Sequence, residues 1–143
     1  VNRSSAQVGS AFSPGAGVAA QFGAPREDRP AVDVSTFASL LDLIGLRRSD
    51  EFIAHIGSDL DTIGRRIDEA ADRDDRRALS EATHALAGLA ATLGAERLSR
   101  LARHPDAARA PRASLRLFAD RLEAEIAAVR SACARLADAR RPI

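Results

Sequence analysis

The stretch Thr83-His84-Ala85-Leu86-Ala87-Gly88-Leu89-Ala90-Ala91-Thr92-Leu93-Gly94-Ala95 decides the fold. Leu79, Leu86 and Leu93 recur every seven residues, and Ala82, Leu89 and Ala90 fill in at helical spacing. That pattern predicts one long helix with its leucine stripe facing a core. His84 precedes Leu86 by two residues, a rotation of about 200°. The histidine is therefore expected on the solvent side, with Ala87, Gly88 and Ala91 as its small neighbours. Gly inside a helix costs roughly 1 kcal/mol relative to Ala. A glycine four residues after an outward histidine thus calls for a reason other than stability.

Working outward, Phe37, Leu40, Leu41 and Ile44 share one side of a short helix over about 35–44, which Gly45 stops. Ser49 is expected as the N-cap of a second helix running to about Ala71, with Phe52, Ile56, Leu60, Ile63 and Ile67 inward. The third helix spans about 75–93 and carries His84. A fourth, short helix starts near Ala95 and stops at His104-Pro105. The last, about 113–139, has the seam Leu115, Phe118, Leu122, Ile126, Val129, Cys133 and Leu136. No run alternates apolar and polar residues like a half-buried strand. The expectation is all-α: an antiparallel four-helix bundle with an N-terminal capping helix, spanning 32–140. Residues 1–31, rich in Gly, Ala, Ser, Pro and Gln, are expected to form a flexible linker or tail, on which Phe12 and Phe22 are candidates to dock on the bundle.

The 143 residues suffice for one modest core, and 45% hydrophobic content excludes a wholly disordered chain. A net charge of +1 gives no electrostatic case for nucleic acid or for membrane contact. The arginines between Arg135 and Arg141 are interrupted by Asp138 and lack aromatic stacking partners, so they read as a solvated helix end. All 21 basic residues are Arg. The single Cys133 is expected as a buried thiol, and nothing points to an oxidising compartment. Three scattered histidines and one cysteine give no metal-ligand spacing, so no metal site is expected. There is no Met, even at position 1, which suggests a piece of a longer protein.

The run His84-Ala85-Leu86-Ala87-Gly88, followed by Leu93-Gly94-Ala95, Leu98 and Leu101, resembles the histidine-containing phosphotransfer (HPt) domain of multistep two-component relays. The family pattern is His-x-Leu-Lys-Gly in a four-helix bundle preceded by a capping helix. The resemblance implies that His84 accepts a phosphoryl group from the aspartate of a response-regulator receiver domain and passes it to another. Neutral imidazole, with a reference pKa of about 6.5, is a competent nucleophile near neutral pH. It further implies a receiver-docking face of Ser80, Ala87, Gly88 and Ala91. No cofactor is expected on this chain, because Mg²⁺ belongs to the receiver. The domain would act in the cytoplasm, as a free carrier or as the C-terminal module of a hybrid sensor histidine kinase.

The chain departs from the pattern at Ala87, where the family has Lys. Arg77, two turns before His84, is the expected compensating phosphate-side charge, with Arg76 less well placed. The departure keeps two other readings open: a receiver-binding adaptor with weak or no transfer, and an unrelated helical interaction or dimerisation bundle. His55 and His104 match nothing in the pattern and are expected to be structural or merely exposed.

Overall fold

The computed structural model describes residues 29–104 and 107–141. They form five α-helices and one short 3₁₀ turn, with no strand among the described residues. In chain order these are α1 (Val34–Ile44), α2 (Leu46–Asp72), α3 (Arg76–Leu93), α4 (Glu96–Ala102), the 3₁₀ turn Ala107–Arg109, and α5 (Arg112–Ala139). Helix α2 packs against both α3 and α5, and α4 closes the other side by packing on the same two helices. Helix α1 touches α2, α3 and α5 and covers part of the bundle. The all-α bundle with its capping helix is therefore observed. No described helix is long and apolar enough to cross a membrane.

The core follows the expected seams. Leu60, Leu86, Leu98, Leu115, Phe118, Leu122 and Val129 are each fully enclosed. Phe37 and Val32 extend that core into α1 and its approach. The linker expectation for 1–31 falls mostly outside the described residues, as do Phe12 and Phe22. By Ala31 and Val32 the chain is already packed on the bundle.

Local chemistry sets most helix ends. Asp33 caps α1 by accepting from the Thr36 N–H at 3.1 Å, and Asp75 caps α3 by accepting from the Ala78 N–H at 3.0 Å. Gly94 ends α3 in the left-handed region, with φ +81°. Ser49 behaves differently from its expected role. Helix α2 begins at Leu46, immediately after Gly45, whose φ of +89° makes the bend alone. Ser49 lies a turn inside, buried, and its hydroxyl donates to the Leu46 carbonyl at 2.9 Å. A hydroxyl satisfied by the preceding turn is not available to cap.

Polar side chains fix how the helices meet. Arg116 on α5 reaches Asp68 at 2.5 Å and Asp72 at 2.8 Å on α2. Those carboxylates, Asp68 foremost, hold its guanidinium well above the ordinary arginine range. Arg97 on α4 donates to both oxygens of the buried Glu125 carboxylate on α5, at 2.7 and 2.9 Å. The same guanidinium donates to the Arg29 carbonyl at 2.8 Å, tying the entering chain to the bundle.

One mismatch of length shapes the site. Helix α3 has 18 residues and α4 has 7. At about 1.5 Å per residue, α4 spans roughly 10 Å against roughly 27 Å for α3. Residues 103–104 and 107–110, rather than a further stretch of α4, lie beside the first half of α3.

Candidate functional site

His84 stands mid-helix on α3, exposed, and makes no hydrogen bond or ion pair with the described residues. Its ring is therefore held by its own helix and left open to solvent. One turn on, Gly88 is exposed, and a Cβ built there would meet nothing within 4 Å. Ala91 is exposed on the same outer edge, as is Ser80 one turn before the histidine. The structure thus groups His84, Ser80, Gly88 and Ala91 on one open face.

Ala87 does not belong to that face. It is 1% exposed, and its carbonyl accepts the Ser99 hydroxyl of α4 at 3.1 Å. Three residues place it about 300° round from His84, on the edge that α4 covers. Thr83, at about 260°, is buried along the same edge. Ala87, expected on that face from its helical spacing to His84 and from the family pattern, lies instead under α4, because a small residue is also what lets two helices approach closely.

Arg77, the candidate phosphate-side charge, stays at the surface. Its side chain is 91% exposed and pairs with Glu81 at 3.3 Å. Both lie on the side of His84 away from α4. Further positive charge lies on the α4 side, where a groove of about 260 Å³ runs beside His84. Arg76, Ser80, Thr83, His84, Arg103 and His104 line it above a floor of Leu79, Ala102 and Ala107. Arg76 is built into this wall: it donates to Asp74 at 2.8 Å and to the Ala110 carbonyl at 2.6 Å. That second bond holds the 107–110 segment against the start of α3.

Arg103 and His104 were not anticipated here. They lie far from His84 in sequence, and only the chain reversal at Gly94 brings them back. The Ser99–Ala87 hydrogen bond fixes the register of the two antiparallel helices. Equal rise per residue then returns 102–104 to the level of His84. That arithmetic was available from the expected turn at Gly94, but only with α4 aligned along α3.

The arrangement offers an unencumbered imidazole, open approach from the Gly88 side, and a cationic groove on the other. No group of three or more His, Cys, Asp or Glu among the described residues is placed to hold a metal ion. Burial raises the Cys133 thiol to about 11 and keeps it away from this face.

A family model described as Hpt domain matches residues 49–138, from early in α2 to the end of α5. No curated protein and no solved structure matches the chain.

Proposed function

The chain belongs to the Hpt domain family, which works in phosphotransfer within two-component signalling, and from that premise we propose that His84 is its phosphoryl-carrying residue. The observation that carries this reading is the solvent-open, unbonded imidazole of His84 beside Gly88, where an added side chain would meet nothing of this chain.

Family members work with receiver domains, and the proposed donor is a receiver carrying an aspartyl phosphate. The lone pair of a neutral imidazole nitrogen attacks phosphorus in line with the bond to the aspartate. The N–P bond forms as the P–O bond breaks, and the aspartate leaves as a carboxylate with that electron pair. The other ring nitrogen keeps its proton, so no proton transfer is needed. The reverse attack, by a second receiver's carboxylate, returns the imidazole. Such transfer demands alignment and charge neutralisation more than covalent assistance. The receiver brings Mg²⁺, and this chain brings the nucleophile on a rigid helix. Ser80, Gly88 and Ala91 form the docking surface around it. The relay reading goes with a cytoplasmic location, as a free carrier or as the last module of a hybrid sensor kinase.

The test is incubation with phosphorylated receiver domains, following acid-labile, base-stable label. Uptake by the native chain and none by His84→Gln is the expected result. Receiver binding without uptake would establish the adaptor reading, which the replacement of the family lysine by Ala87 favours. Neither binding nor uptake with any receiver of the same organism would overturn the reading.

A further inference from the structure

We propose that Arg103 supplies the positive charge that faces the phosphoryl group on His84, in place of the lysine missing at position 87. This rests on the reading of His84 as the phosphoryl carrier and adds to it a residue from another element.

Three observations converge on Arg103. First, it borders the same groove as His84, and no carboxylate lies among that groove's described lining residues. Second, its exposed guanidinium makes no hydrogen bond or ion pair with the described residues. Other arginines nearby are committed: Arg76 to Asp74 and the Ala110 carbonyl, Arg77 to Glu81, Arg100 to Glu96. Third, the position from which the family lysine would act is closed, because Ala87 is buried against α4. The charge must then come from across the groove, and Arg103 stands there at the end of α4.

A guanidinium suits this role. It stays protonated throughout the accessible pH range, and its planar fork can donate to two phosphoryl oxygens at once. As the phosphoryl group passes from the receiver carboxylate to the imidazole nitrogen, its three oxygens keep their negative charge. Arg103 neutralises part of it without exchanging a proton or forming a bond. The groove is wide enough, at about 260 Å³, for those oxygens to turn toward α4 once the receiver departs.

Two measurements on the full chain test this. In the first, label uptake from a phosphorylated receiver is timed for the native chain, Arg103→Ala, Arg103→Lys and the control Arg100→Ala. An exposed charge contact predicts a roughly three- to fivefold slower uptake for Arg103→Ala. Arg103→Lys should recover part of that loss, and Arg100→Ala should match the native rate. In the second, His84 is phosphorylated chemically with phosphoramidate and its phosphorus resonance is titrated, the signal being assigned by its absence in His84→Gln. Removing the cation should raise the phosphoryl midpoint by roughly half a pH unit. Arg76 and His104 border the same groove, so His104→Gln, which retains Arg103, is titrated alongside and should shift less. Native uptake and an unmoved midpoint in Arg103→Ala would overturn the assignment and leave the carrier reading standing. No uptake by the native chain with a shifted midpoint would overturn the carrier reading alone.

Discussion

Gly94 lies directly against Thr36: a Cβ at Gly94 would come within 2.9 Å of the Thr36 Cβ and 3.0 Å of its methyl carbon. The same glycine has φ +81°, and its carbonyl accepts the Asp33 N–H at 2.8 Å. The end of α3 and the start of α1 therefore meet through a residue that has no room for a side chain. Gly94→Ala combines left-handed strain with a clash against a β-branched neighbour. The expected cost is about 2–4 kcal/mol, read as a lower urea midpoint. A loss below about 0.5 kcal/mol would show that α1 shifts freely and is not fixed by this contact.

Gly88 is the opposite case within the same motif. Nothing lies within 4 Å of a Cβ placed there. Gly88→Ala should leave the fold intact and raise stability by up to about 1 kcal/mol through helix propensity. Gly88→Leu should also fold, yet slow label uptake from a receiver by about tenfold or more, because its bulk stands where the partner approaches. Denaturation and transfer measured on the same samples separate the two effects. Native-like transfer by Gly88→Leu would remove Gly88 from the docking surface.

That contrast shows what the sequence could and could not reveal. The helices were legible because apolar spacing repeats over many residues, as in the seam from Leu115 to Leu136. Gly94 was legible as a stop, but its contact with Thr36 depends on where α1 docks. Ser49 has the chemistry of an N-cap, and the single-residue bend at Gly45 put it inside a helix. At the site, His84, Ser80, Gly88 and Ala91 follow from helical rotation alone. Ala87, Arg76, Arg103 and His104 do not, because each owes its place to α4 or to the segment that follows it. One-helix geometry finds the outer face; only the neighbouring element shows which edge of that face is covered.

The Asp33 carboxylate gives the capping contact a pH signature. It accepts from the Thr36 hydroxyl at 2.6 Å, the Thr36 N–H at 3.1 Å and the Ser35 hydroxyl at 3.2 Å. These bonds, the Thr36 hydroxyl first, hold it below its ordinary value of 3.8. A depressed folded-state value means that the stabilisation is complete above the unfolded value and disappears as pH falls through the folded one. The Tm difference between the native chain and Asp33→Ala should therefore be constant near neutrality and shrink as pH falls below about 4. Every other carboxylate is common to both proteins, so its contribution cancels in the difference. A gap that stays constant down to about pH 2 would mean that the charge of Asp33 contributes nothing to the cap.

Arg97 and Glu125 form a pair whose value lies in what each hides from the other. Their side chains are only 20% and 8% exposed, and the Arg97 Nε is buried without a partner. Burial pushes the nearby Arg121 guanidinium below its ordinary value, with Glu125 opposing that shift and Arg97 adding to it, and the Arg121 Nε is also buried unpaired. Arg97→Met strands the Glu125 carboxylate in the interface between α4 and α5, at an expected cost of about 3 kcal/mol. Glu125→Leu removes the acceptor of Arg97 and a carboxylate whose charge favours the Arg121 guanidinium, and should cost a similar amount. The double variant removes attraction and repulsion together, so it should be far more stable than the sum of the single losses predicts. Urea denaturation of all four proteins measures that coupling directly. Additive losses would show the pair to be incidental, with α4 held by its buried apolar residues and the Ser99–Ala87 hydrogen bond. Strong coupling would make the pair the anchor that fixes α4 along α3, and with it the distance from Arg103 to His84. Transfer by Arg97→Met should then fall further than its remaining folded fraction accounts for.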